Sequence, residues 1–106
     1  MTTLTDDLRA VILAHQRNEI TEHHIYTRLA RVTAPAENRR VIETIAADEL
    51  RHAQLWRKYT QQDAAPNRFR AWLYYWISRL FGLTFGVKLM ERGEEAAQAS
   101  YDRLRG

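Results

Sequence analysis

Apolar residues recur along this chain at three- and four-residue intervals, the spacing of one face of an α-helix, and no long stretch alternates with the two-residue period of a strand. Thr5-Asp6-Asp7 has the form of a helix start, a capping hydroxyl followed by acidic residues, so a first helix is predicted from there to about Val32. Thr33-Ala34-Pro35-Ala36 breaks the pattern. Pro35 lacks an N–H and suits the first position of a second helix, running to about Thr60. Residues 61–67, with Asp63 and Pro66, form the next connection, and an aromatic-rich third helix is predicted from Arg68 to about Phe81. Gly82 and Gly86 then interrupt or kink the pattern, and a last helix is expected from Val87 to Arg105, with Gly106 as its stop. The two glycines form a G-x-x-x-G, a spacing that permits close helix approach but is a weak signal.

Three of these helices carry polar side chains where a core belongs. On a heptad stripe the first helix presents Leu8, Ile12, His15, Glu19, Glu22, Tyr26 and Leu29. The second presents Ile42, Ile45, Glu49, His52, Trp56 and Tyr59, and the last Val87, Met90, Glu94, Ala97, Tyr101 and Leu104. Each stripe begins and ends apolar, as the inner face of a bundle does. Each holds carboxylate or imidazole in its middle. An unpartnered carboxylate costs several kcal/mol to bury or is driven to its neutral form. Few cations share these stripes, so a divalent metal pair is the simplest compensation. Glu49 and His52 lie one helical turn apart and project together, the Glu-x-x-His element of carboxylate-bridged two-metal bundles. Tyr26 and Tyr101 each follow a glutamate of their own stripe by seven residues, where a phenol can donate to a metal-binding carboxylate. The Glu19/Tyr26 and Glu94/Tyr101 elements repeat at an offset of 75 residues, which suggests a duplicated helix pair.

Composition narrows the chemistry further. The 106 residues suit one small domain, 45% hydrophobic and 27% charged, which places the chain among folded globular proteins rather than disordered ones. There is no cysteine, which removes disulfides, thiolate zinc sites and thiol catalysis, and leaves His and carboxylate as ligands suited to iron, manganese or zinc. The net charge is only +3, with no block of like charges, so a nucleic-acid surface is not expected. The first residues lack the basic start and apolar run of a signal peptide. Residues 71–90 are long enough and apolar enough to raise the question of a membrane span. Arg79 near their middle would cost about 2.5–3.5 kcal/mol there, and the crowded aromatics favour a buried or interface helix instead.

Glu19-x6-Tyr26, Asp48-Glu49-Leu50-Arg51-His52 and Glu94-x6-Tyr101, in this order, resemble the ferritin-like di-iron superfamily and its rubrerythrin group. The stretches 37–56 and 81–101 look most like the cytoplasmic rubrerythrin-like domain fused ahead of bacterial vacuolar-iron-transporter-type membrane proteins. The resemblance covers almost the whole chain. It implies an all-α, ferritin-like bundle, with residues 61–85 as the crossover that joins two parallel helices and carries the aromatic helix. It implies Glu19, Glu49, His52 and Glu94 as ligands of a di-iron centre. It further implies oxidation of Fe(II) by O2 or peroxide, or delivery of iron to an attached iron or manganese transporter domain. A non-catalytic metal-sensing or oligomerisation module is the alternative.

The family's closing Glu-x-x-His helix and its cysteine-bearing rubredoxin module are both missing, so a rubredoxin-linked peroxidase activity is not implied. The single domain 1–106 is therefore expected either to be cut before its last helix or to be completed by a second copy in a dimer or larger assembly. A cytoplasmic location, tethered to a membrane in a longer parent, also follows from the resemblance alone. Around the four ligands, Glu22 and Glu91 read first as neighbouring or surface carboxylates and second as ligands. His15 reads first as a core histidine bonded to a carboxylate. For Glu49 and His52 the competing reading is a solvent-facing pair, with Glu49 paired to Arg51 or Arg57.

Overall fold

The computed structural model describes residues 5–92 and is all-helical. Helix α1 spans Asp6–Arg31, α2 Ala36–Thr60 and α3 Arg68–Phe81, and a fourth helical segment, α4, covers residues 83–92 of those described. The start of α1 is set locally. The Thr5 hydroxyl accepts from the Leu8 N–H at 3.1 Å, Asp6 and Asp7 occupy the positive end of the helix dipole, and Arg28 and Arg31 the negative end. Helix α2 begins one residue later than the proline reading expects. Pro35 is its extended cap residue rather than its first helical one, and Gln61 closes it in the left-handed conformation (φ 55°). Asn67 caps α3 by accepting from the Arg70 N–H at 3.0 Å.

Helices α1 and α2 pack as an antiparallel pair, because the short 32–35 connection leaves no other arrangement and the far ends are clamped together. The clamp is polar. Thr60 Oγ1 donates to Gln16 Oε1 at 2.7 Å, Gln16 Nε2 donates to the Gln62 carbonyl at 2.7 Å, and Arg9 donates to the Thr60 carbonyl at 2.8 Å. Gln16 and Thr60 are both buried, so this network fixes the register of the pair where a slip would strand polar atoms away from water. Small residues let the helices close: Ala30, Ala46 and Ala53 are all buried.

Helix α3 returns along α1. Thr21 Oγ1 accepts from the Asn67 N–H at 2.9 Å and donates to the Arg17 carbonyl at 2.8 Å, and the Arg28 guanidinium lies 4.0 Å from the centre of the Tyr75 ring. Residues 67 and 75 thus meet residues 21 and 28 in the same order, so α3 runs parallel to α1. Burial together with the neighbouring His23 and Arg68 charges lowers the His24 pKa. The folded state therefore prefers a neutral His24, and its contribution to stability declines as pH falls through the ordinary histidine range.

Beyond Phe81 the chain reverses at Gly82, whose φ of 101° suits a residue without Cβ. The last helix therefore starts at residue 83, not 87, and Gly86 lies inside it rather than interrupting it. Gly86 and Ser78 are equidistant from the turn and press together. A Cβ at Gly86 would lie 2.9 Å from the Ser78 Cβ and 3.1 Å from its Cα. The G-x-x-x-G thus has two separate physical uses, a turn at Gly82 and a close approach of helices at Gly86. The same turn divides the apolar stretch 71–90 in two, and among the described residues no helix is long and apolar enough to cross a membrane.

The core is Ile25, Tyr26, Leu29, Ala30, Ile42, Ala46, Tyr75 and Met90, with Ile45, Ala71, Tyr74, Leu83 and Val87 against it. All four helices contribute, as the inner stripes of α1 and α4 predict. The α2 stripe holds only over its first half. Ile42 is buried and Ile45 partly so, but His52 and Tyr59 are exposed and Trp56 is half-buried, while Ala46, Ala53 and Thr60 take the inner positions. An α-helix drifts about 20° per heptad against a strict seven-residue repeat, which carries the later stripe positions to the edge of the interface.

Two stability measurements check this packing. Gly86→Ala is expected to lower stability by about 1–3 kcal/mol in urea unfolding, with partial recovery in the Ser78→Gly/Gly86→Ala double variant, which removes the opposing side chain. Thr60→Val, which leaves buried Gln16 short of a partner, is expected to cost about 1–3 kcal/mol in the same assay.

Candidate metal centre

Glu19 sits at the middle of α1, and Glu49 and His52 just past the middle of α2, so antiparallel packing in the clamped register brings the three together. His52 Nδ1 lies 3.7 Å from Glu49 Oε1 and 3.8 Å from Glu19 Oε1. Both separations exceed a hydrogen bond. They slightly exceed the roughly 3–3.6 Å that two donors keep when each is bonded at about 2.0–2.2 Å to one ion with angles near 90–120°. The side chains of Glu19 and Glu49 are 20% and 14% exposed and that of His52 54%, so the carboxylates line the inside and the imidazole closes it from the solvent edge.

Glu49 holds an unsatisfied atom. Its Oε2 is buried and has no hydrogen-bond partner among the described residues. The arginines of the same helix do not supply one. Arg51 pairs with Asp48, and Arg57 Nε donates to Asp63 Oδ1 at 2.5 Å. The surface-pair reading of Glu49 thus finds no support. A buried carboxylate oxygen left without a donor is the kind of atom a cation satisfies.

The neighbouring positions divide. Glu22, ranked second to Glu19 on sequence grounds, is only 3% exposed and is the more deeply buried of the two. Tyr26 is buried in the core one turn further along α1. His15 is half-buried, with its ring 6.2 Å from that of Trp56 and inclined by 29°, in keeping with the core reading. Glu91 is exposed, as its surface reading expects. Glu94 and Tyr101 lie outside the described residues. Among the described residues no group of three His, Cys, Asp or Glu side chains is gathered tightly enough to hold a metal ion by itself. His23 donates from Nδ1 to the Ala46 carbonyl at 2.7 Å and helps tie α1 to α2. Nothing in its spacing marks that contact, because the acceptor is a backbone atom of another helix.

Comparison with protein-family models, with curated proteins and with solved structures finds no match to this chain.

The orphaned oxygen of Glu49 leads to a test without any added metal. Glu49→Gln removes the buried charge at nearly constant shape. In chelator-treated protein the variant is expected to unfold at the same or a higher temperature than wild type. A lower unfolding temperature in the variant would indicate a structural partner for the carboxylate.

Proposed function

We propose that this chain is a ferritin-like, rubrerythrin-type bundle that handles Fe(II) at a carboxylate-rich centre. The observation that carries the reading is the convergence of Glu19 with the Glu49–His52 pair from two antiparallel helices, with Glu49 Oε2 buried and lacking a donor. The course of the chain supports it. Helix α3 runs back along α1 between α2 and α4, as the single long crossover of a ferritin-like bundle requires.

In this reading Glu19, Glu49 and His52 bind iron, Glu94 completes the set, and Glu22 lies beside it as an additional carboxylate. When bound, a ferrous pair supplies two electrons, enough to reduce one O2 to peroxide. The carboxylates favour the more highly charged ferric product through their negative charge and hard oxygen donors. His52 provides one neutral nitrogen, and its exposed edge leaves an approach for oxidant. Tyr26, buried one heptad along α1 from Glu19, holds a phenol where it can orient a carboxylate. Manganese and zinc suit the same donors, and elemental analysis of the bound metal separates them.

Oligomerisation belongs to the same proposal. Four ligands in one chain are few for two metal ions, so the remaining ligands come from a second copy or from a helix beyond these. Mass and metal content of the purified protein, measured together, are expected to give a dimer or larger particle carrying iron.

Added Fe(II) is expected to raise the thermal midpoint, since a ligand of the native state stabilises it. Glu49→Ala and His52→Ala should abolish this shift while helicity by circular dichroism survives. Oxygen consumption on adding Fe(II) separates oxidation from sensing. Consumption supports ferroxidase chemistry, and a midpoint shift without consumption supports a metal-sensing module. If both variants bind iron as wild type does, the centre lies elsewhere.

A further inference from the structure

Helix α3 is apolar on two opposite faces. Its inner face, with Ala71, Tyr74, Tyr75 and Ser78, packs into the bundle. Phe69, Trp72, Leu73, Trp76 and Leu80 are between 38% and 74% exposed. At 3.6 residues per turn these five fall within an arc of roughly 100° on the far side. The exposed Phe81 and Phe85, with ring centres 5.7 Å apart, extend the surface past the Gly82 turn. Neighbouring rings hold one another in place: Phe69 and Trp72 stack with centres 6.2 Å apart and planes inclined by 19°. The patch is thus set up on a rigid helix before anything binds it.

The charge around this stripe has one sign. Between residues 64 and 90 the chain carries Arg68, Arg70, Arg79 and Lys88 and no carboxylate. Arg68 and Arg79 project along one border of the stripe and Arg70 along the other, by the same helical spacing. A second copy docked stripe to stripe by a two-fold axis would bring these cations against their own equivalents, which opposes that occupant. An anionic surface suits both halves of the pattern. The indoles and Phe69 would sit at headgroup depth with Leu73 and Leu80 beneath them, and the arginines would reach out to phosphates. At 14 residues the helix is about 21 Å long, enough to lie in the interface and too short to cross a bilayer.

We propose that the outer face of α3 is a docking surface for an anionic membrane, with Trp72, Trp76 and Leu80 as its apolar anchors and Arg68 and Arg79 as its charge contacts. The surface faces away from the core, and docking there requires no metal, so it stands or falls separately from the iron centre.

The test is flotation of the metal-free protein with phosphatidylcholine vesicles, with and without a phosphatidylglycerol fraction, at low and high salt, alongside tryptophan emission. The expected result is flotation and a blue shift with the anionic vesicles, weakened by salt. Arg68→Glu/Arg79→Glu is expected to weaken binding roughly tenfold or more, by replacing attraction with repulsion. Trp72→Ser/Leu80→Ser is expected to abolish the blue shift. Because all four positions are exposed, the variants should keep the wild-type thermal midpoint. The proposal is overturned if folded protein fails to float with anionic vesicles at low salt, or floats equally with neutral ones. It is also overturned if Trp72→Ser/Leu80→Ser dissociates an oligomer while leaving vesicle binding intact, which would assign the stripe to a second copy.

Discussion

Two glutamates facing each other across a closely packed helix pair are the constraint around which the rest is arranged. Both approach His52 Nδ1, Glu19 at 3.8 Å and Glu49 at 3.7 Å, from opposite helices. The pair persists because its helices are held in register from elsewhere. Buried alanines allow the approach, and the Gln16–Thr60 network with the His23–Ala46 hydrogen bond fixes the sliding coordinate. The stability of the helix pair is therefore drawn from its ends and its flank, leaving the middle free to hold polar side chains.

Helix α3 solves a different problem. A chain that passes up one helix and down the next must return before a third can run parallel to the second, and a short loop cannot span that length. The return segment here is itself a helix, pinned at its start by Thr21 and Asn67 and at its end by the Gly82 turn. Packed on its inner side against α1 and, past the Gly82 turn, against α4, it would ordinarily carry a polar outer face. It carries indole and phenyl rings instead, while the inner faces of α1 and α2 carry carboxylates. The molecule thus places polarity inside and apolar surface outside at two locations. Both departures from the usual pattern coincide with the two proposed activities.

The features legible in the chain were those encoded by neighbours in sequence. Thr5 marks a helix start because a capping side chain bonds within its own turn, and α3 begins and ends where its composition indicated. Pro35 was displaced by only one position, from first helical residue to cap. The Glu49–His52 pairing was legible for the same reason, since one helical turn joins the two on any helix. Gly86 was misread as a break, because a glycine inside a helix looks the same in sequence whether it interrupts the helix or makes room for another.

The amino-acid order alone determined that the described chain is helical, where the helices begin, and which side chains share each face, because these follow from backbone geometry and contacts within one turn. Tertiary structure decided which faces meet and how deeply. It placed Glu22 further inside than Glu19, moved Trp56 and Tyr59 to the rim, directed Arg51 and Arg57 away from Glu49, and turned the aromatic edge of α3 outward. Those outcomes depend on the register and rotation of one helix against another. They are set by the fit of Ala46, Ala53 and Gly86 against distant parts of the chain, a fit that no local spacing specifies.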